Sequence, residues 1–278
     1  MQDYARPRSV DEALALLGRG AATILAGGTD LYVRSARRSL PGAVLDVTGI
    51  DGLRGITHAG EHWRIGAATP WSTIAADTTL PAAFDALRAA AREVGGWQIQ
   101  NAGTIGGNLV NASPAADGVP PLLVLDATVE LRRGERIRHL PLAAFITGPR
   151  RTALDDGELL TAVLVPREAA RGRAVFLKLG ARRHLVISIA MVAVRLEVEA
   201  GRIAAAAIAV GACSPVARRL GAVEAALVGA SRDTAEARIT RVDMAAALEP
   251  IDDVRGTAAF RLDAACELVR RAVVQALA

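Results

Sequence analysis

Two short segments with paired glycines constrain this chain more than anything else in it. They are Ile24-Leu25-Ala26-Gly27-Gly28-Thr29-Asp30-Leu31 and Asn101-Ala102-Gly103-Thr104-Ile105-Gly106-Gly107-Asn108. Each sets Gly-Gly beside a threonine and a carboxylate or amide, and each follows a predicted element. Glycine takes positive φ without steric cost and lets other atoms approach the backbone closely. Consecutive N–H groups in such a turn form a concave nest for anionic oxygens, and a threonine hydroxyl adds a donor. Taken singly, either segment reads as a plain turn. Two of matching chemistry predict a diphosphate cradled from two sides without lysine or arginine. Neither is the G-x-G-x-x-G fingerprint or a P-loop, so no standard nucleotide-binding fold is indicated, while a nucleotide ligand stays open.

The periodicity of the rest predicts an α+β fold. Ser9-Val10-Asp11-Glu12, ahead of an Ala/Leu stretch ending at Gly18 and Gly20, reads as a capping box and a short amphipathic helix. Residues 23–26, 43–47, 62–68, 122–131 and 158–165 read as strands. The fourth is entered from a Pro120-Pro121 turn, and the last is closed by Pro166. Helices are expected over 69–77 and 80–94, and 95–108 reads as a glycine-rich polar loop. The short charged segment 168–173 marks the main domain boundary. Beyond it, 176–179, 188–198 and 203–210 read as strands, with Gly201 turning the last two, and 215–227 and 260–277 as helices. Strands followed by helices point to a layer sandwich.

Composition narrows the classes. Hydrophobic residues make up 51% of the 278 positions but aromatics only 3%. The core is therefore aliphatic, and few rings are available to stack on a planar ligand. The net charge is +4 with both signs interspersed, and the densest basic stretch, 132–138, is broken by Gly134 and Glu135. That is not the one-sided basic footprint of a nucleic-acid protein. Cys213 and Cys266 are too few for a four-cysteine zinc or iron–sulfur site in this chain. The N-terminus is polar and no run of about twenty apolar residues exists, so the cytoplasm is the expected compartment and no membrane span is expected. His58 and His62 are four apart but flank Gly60 in an expected hairpin, which makes them surface residues. The role of His184 stays open. Lys178 is the single lysine among many arginines. Base composition of the genome explains that blandly; the sharper reading is a task that a planar guanidinium cannot perform.

These residues carry a resemblance. Tyr4-Ala5-Arg6-Pro7-Arg8-Ser9 with Glu12-Ala13, then Ala26-Gly27-Gly28-Thr29-Asp30-Leu31, resemble the FAD-binding medium subunits of the xanthine dehydrogenase and CO dehydrogenase family, the molybdenum hydroxylases. So does Thr104-Ile105-Gly106-Gly107-Asn108, followed by Ala112-Ser113-Pro114-Ala115-Ala116-Asp117. Gly157-Glu158-Leu159-Leu160, Phe176-Leu177-Lys178 leading to Arg182-Arg183-His184, and Asp252-Asp253-Val254-Arg255-Gly256 with Phe260-Arg261 extend the likeness over essentially the whole chain.

The resemblance implies a vanillyl-alcohol-oxidase-type FAD-binding region, 1–168, in two α/β subdomains of about 1–52 and 53–168. A C-terminal α/β flavoprotein domain, 172–278, would cover the flavin. It implies that Ile24, Leu25, Ala26, Gly27, Gly28, Thr29, Asp30 and Leu31 hold the FAD diphosphate with Thr104, Ile105, Gly106, Gly107 and Asn108. Asp117 would accept from FAD hydroxyls, Val94 and Leu160 would line the cofactor, and Lys178 would contact the flavin. It implies partners as well: a large molybdenum-cofactor subunit, a small subunit with two [2Fe–2S] clusters, and an acceptor such as NAD, quinone or oxygen. The inserted loop that binds a [4Fe–4S] cluster in one branch cannot be matched with two distant cysteines. An independent FAD oxidase of the same fold would need a substrate base beside the flavin, and none is evident. A cofactor-less assembly scaffold would not need both glycine segments and Asp117.

Overall fold

The computed structural model describes residues 4–34, 40 and 42–278. β1 (Tyr4–Ala5), β2 (Ala22–Leu25) and β3 (Ala43–Asp46) form a parallel sheet with β3 in the middle. Parallel strands need a crossover, and the Val10–Leu17 helix carries the chain from β1 to β2, leaving room for β3 between them. Ser9 Oγ accepts from Glu12 N at 3.1 Å, as expected of a cap, while the Glu12 carboxylate accepts from Arg8 N at 2.8 Å instead of closing the box on Ser9. Leu14 and Leu17 pack with Leu45 and Val47 in a small core of their own.

A second, antiparallel sheet follows. Its strands are β4 (Ile56–Ala59), β5 (His62–Gly66), β6 (Thr128–Arg133) and β7 (Arg136–Pro141); after the two-stranded ribbon of β8 (Ile146–Gly148) and β9 (Arg151–Thr152), β10 (Leu159–Pro166) inserts between β5 and β6. The β4–β5 hairpin turns at Gly60 and leaves His58 and His62 exposed, with the His58 ring tilted on Trp63 at 4.8 Å.

The third sheet is antiparallel, β11 (Arg173–Leu179), β12 (Ala190–Glu199), β13 (Arg202–Gly211) and β14 (Arg218–Arg219) in that order. Ala200 and Gly201 make the two-residue turn between β12 and β13 with φ of 49° and 74°, the primed geometry that matches strand twist. β12 is buried on both faces. Ala190, Val192, Val194 and Leu196 face the Ala258–Ala276 helix, while Met191 and Ala193 join the core that contains the Asp85–Glu93 and Val119–Val124 helices. Helices from both halves of the chain therefore sandwich one sheet. No helix among the described residues is long and apolar enough to cross a membrane.

Several expected elements differ. Residues 95–108 are not a loop: they contain the Trp97–Ala102 helix and the start of the Ile105–Asn111 helix. Residues 119–124 are helical, and the strand begins only at Thr128. Pro120 and Pro121 lie in that helix's first turn, where a fixed φ and a missing N–H are tolerated. Residues 215–227 split into β14 and the Gly221–Leu227 helix. The expected 80–94 helix begins with a 3-10 turn, Ala82–Phe84, before Asp85–Glu93.

Arginines fasten the halves. Arg195, buried in β12, donates to the Val124 carbonyl at 2.8 Å, and Arg219 donates to the Leu123 carbonyl at 2.9 Å and Asp126 at 2.7 Å. Both serve carbonyls at the C-terminal end of the Val119–Val124 helix, the Leu123 carbonyl also accepting from Asp126 N at 3.1 Å. Gly172, φ 77°, leads into β11, and a Cβ there would fall on the Leu196 carbonyl. Gly172→Ala should therefore lower unfolding free energy by roughly 2–3 kcal/mol, read from urea denaturation; an unchanged midpoint and slope would show that this junction yields without cost.

Candidate functional site

β2 ends at Leu25, and the backbone from Ala26 to Asp30 turns across the mouth of the parallel sheet. Gly28 has φ 68°, and its Cα face is covered by the Tyr32 ring, which would stand 2.6 Å from an added Cβ. A Cβ on Gly27 would fall on the Ala102 carbonyl, so the first segment meets the second backbone to backbone. The N–H groups of Gly27 to Leu31 have no protein acceptor among the described residues.

The second segment is built differently. Thr104 caps the Ile105–Asn111 helix, its Oγ1 accepting from Gly107 N at 3.1 Å. Ile105 N donates to the Thr69 carbonyl and Gly106 N to the Ala67 carbonyl, at 3.1 and 2.8 Å. The two segments therefore differ: the N–H groups of Gly27 to Leu31 are without a protein acceptor among the described residues, and those of Ile105 to Asn108 are occupied. Glycine is needed at 106 because a Cβ would stand 2.7 Å from the Ala67 carbonyl, and at 107 because it would stand 2.9 Å from Thr104 Oγ1; neither has positive φ.

Between the segments lies a cavity of about 810 Å³, within the size range of small-molecule sites. Of the residues expected at a cofactor, Ile24, Ala26, Gly27, Gly28, Thr29, Asp30, Leu31, Val94, Thr104, Gly106, Gly107, Asn108 and Leu160 line it. Leu25 and Ile105 do not line it, and Ile105 is wholly buried in the core. Sequence reasoning missed Trp71, Leu53, Val110, Asn111 and Leu154 on the wall. Trp71, 1% exposed, was the legible one, as an aromatic in a chain that has few. Asn108 Oδ1 is buried on this wall with no hydrogen-bond partner, and a buried polar atom left so is costly unless a ligand meets it.

Asp117 and Lys178 come together, but behind the wall. Lys178 Nζ donates to Asp117 Oδ2 at 2.6 Å and to the Glu93 carbonyl at 3.3 Å, and Ser188 Oγ donates to Asp117 Oδ1 at 2.6 Å. Burial pushes the Asp117 carboxyl up, while Lys178 and Ser188 pull it down. Each of its oxygens accepts one protein hydrogen bond, which leaves a second lone pair on each for a further donor. Glu93, whose carbonyl Lys178 holds, precedes Val94 of the cavity wall; Lys178 itself faces a separate recess of about 540 Å³ with Glu93, Arg182 and Arg183. His184 is exposed in the loop beside that recess.

Residues 1–168 match the FAD binding domain in molybdopterin dehydrogenase, and residues 175–276 match the CO dehydrogenase flavoprotein C-terminal domain. The chain belongs to the FAD-binding subunits of the molybdopterin dehydrogenases. This FAD-binding subunit is 31% identical to the nicotine 6-hydroxylase medium subunit of Paenarthrobacter nicotinovorans, over 98% of the chain and 96% of that subunit. It is 36% identical to the nicotinate dehydrogenase FAD-subunit of Eubacterium barkeri over 194 residues, which span 67% of this chain and 66% of that one. Its fold superposes on a chain of reconstituted CO dehydrogenase from Oligotropha carboxidovorans with TM-score 0.91 and 29% identity, covering 100% of this chain and 98% of that one. It is thus an oxidoreductase subunit and a flavoprotein.

Removing the ammonium alone would strand the buried Asp117 carboxylate. Lys178→Met should destabilise the FAD-binding subunit by roughly 3–5 kcal/mol. Lys178→Met combined with Asp117→Asn should recover much of that loss in urea denaturation. Equal losses in the two variants would mean that the pair is not coupled.

Proposed function

We propose that this chain binds one FAD in the cavity between the two glycine segments and serves as the electron-transfer subunit of a molybdenum hydroxylase. The observation that carries the reading is the pairing of unsatisfied groups with space: the N–H groups of Gly27 to Leu31 and the buried Asn108 Oδ1 all border one cavity of about 810 Å³. Donors suit the diphosphate, an amide oxygen suits a hydroxyl or ring N–H, and Val94, Leu160 and Trp71 give apolar surface to a ring system. Bound FAD supplies one- and two-electron chemistry. The chain's own task is to orient the cofactor, exclude water from the diphosphate and leave one ring edge open to partners.

On this reading, residues 1–168 form the FAD-binding region, in subdomains of about 1–52 and 53–168, and residues 172–278 close over it. A small partner with two [2Fe–2S] clusters delivers electrons that a large molybdenum-cofactor subunit takes from substrate. An acceptor such as NAD, quinone or oxygen removes them. Lys178 acts from behind the Glu93–Val94 wall, its charge fixed by Asp117. A charge pair so held is nearly neutral, so its effect on flavin potential is smaller than that of a lone cation at the ring.

The test is a fluorescence titration of the chain with FAD and with FMN, alongside Gly27→Ala. The wild type should bind FAD more tightly than FMN, because the cradle reads a diphosphate. Gly27→Ala should lose at least about tenfold in FAD affinity, since its Cβ drives the Ala102 carbonyl away. Absence of FAD binding by a folded wild type would refute the reading.

A further inference from the structure

Arg150 sits at the second position of the two-residue turn that joins β8 to β9, between the paired residues Gly148 and Arg151. Its φ is 60°. That left-handed conformation costs a non-glycine residue about 1–2 kcal/mol, and glycine or asparagine is the ordinary choice in such a turn. For the fold, the side chain offers exposed hydrogen bonds to Asn111 and one ion pair. Its ion pair with Asp30 spans 3.9 Å with the side chains 40% and 53% exposed, an arrangement that contributes about 0–1 kcal/mol. The turn is anchored without the guanidinium, because Arg150 N donates to the Ala112 carbonyl at 2.8 Å.

What the side chain does is bridge two residues of the cavity wall, Asn111 and Asp30. Its Nη1 donates to the backbone oxygen of Asn111 at 3.3 Å and to that residue's side-chain oxygen. Asn111 ends the Ile105–Asn111 helix and Asp30 belongs to the first glycine segment; both line the cavity, one on each side. Asp30 also brings a negative charge to the edge where the proposed cradle takes a diphosphate, and an uncompensated carboxylate there would repel it. A guanidinium is always charged and carries five donors. It can keep Asp30 and Asn111 and still present N–H groups to a phosphate oxygen.

We infer that Arg150 is a cofactor-binding clasp: it offsets Asp30 and offers the diphosphate of the bound dinucleotide a charged donor at the cavity wall. This rests on the FAD reading above and assigns the cradle a cation that neither glycine segment contains.

The experiment measures FAD affinity at low and high ionic strength, with a thermal melt in parallel, for the wild type, Arg150→Gly and Arg150→Lys. Glycine relieves the backbone at φ 60°, so Arg150→Gly should keep or raise the melting temperature. It should also weaken FAD binding about tenfold at low salt and flatten the salt dependence seen in the wild type. Arg150→Lys, which keeps the charge but not the fork, should fall between. Wild-type affinity and salt dependence in Arg150→Gly would overturn the clasp and leave the FAD reading standing. A parallel loss of melting temperature and affinity would also overturn it, by making Arg150 a structural residue. A folded wild type that binds no FAD would instead sink the reading on which the clasp rests.

Discussion

The backbone of Gly27 lies against the Ala102 carbonyl, and the rest of the site depends on that contact. Any side chain at 27 would hold the parallel sheet away from the helical segment that follows it. The same device recurs on the other side of the cavity. Gly106 approaches the Ala67 carbonyl, and a Cβ at Gly66 would fall on the Leu53 carbonyl. Trp71 N donates to the Gly103 carbonyl at 3.1 Å, which fixes the second segment against the Trp71–Ala76 helix. Close backbone approach uses up the space that side chains would fill around the cavity, and what remains open between the segments is the cavity itself. The glycines are there to shape a void as much as to turn a chain.

Charge is distributed with equal economy. Arginines with several donors serve helix-end carbonyls and span elements, as Arg195 and Arg219 do at the Val119–Val124 helix. The one lysine stands where a compact charge is required. Lys178 Nζ reaches Asp117 and the Glu93 carbonyl from a side chain only 6% exposed, and a planar fork would need more room and more acceptors than that pocket holds. Because Asp117 belongs to the first half of the chain and Lys178 and Ser188 to the second, this buried group also ties the two halves together.

Much of this was legible in the sequence because it is local. The turn at Gly201, the strand that becomes β12 and the Ser9 cap follow from neighbours in the chain. Thirteen cavity residues could be named from the glycine segments and the family likeness. The segment 95–111 was not legible as helix. Gly106 and Gly107 each cost a helix about 1 kcal/mol, and the acceptors that hold its first turn, the Ala67 and Thr69 carbonyls, are distant in sequence. Asn111 and Leu154 were missed for the same reason: they reach the cavity wall only through tertiary packing. That Asp117 and Lys178 pair with each other was not legible, because 61 positions separate them in the chain.

The central claim is that one diphosphate lies between a donor-rich first segment and a capped helix. A crystal structure of the chain with FAD tests it most directly. The account predicts diphosphate density within hydrogen-bonding distance of the Gly27 to Leu31 N–H groups, and a ligand donor on Asn108 Oδ1. FAD seated instead in the recess of Lys178, Arg182 and Arg183, with the first segment's N–H groups facing water, would contradict it.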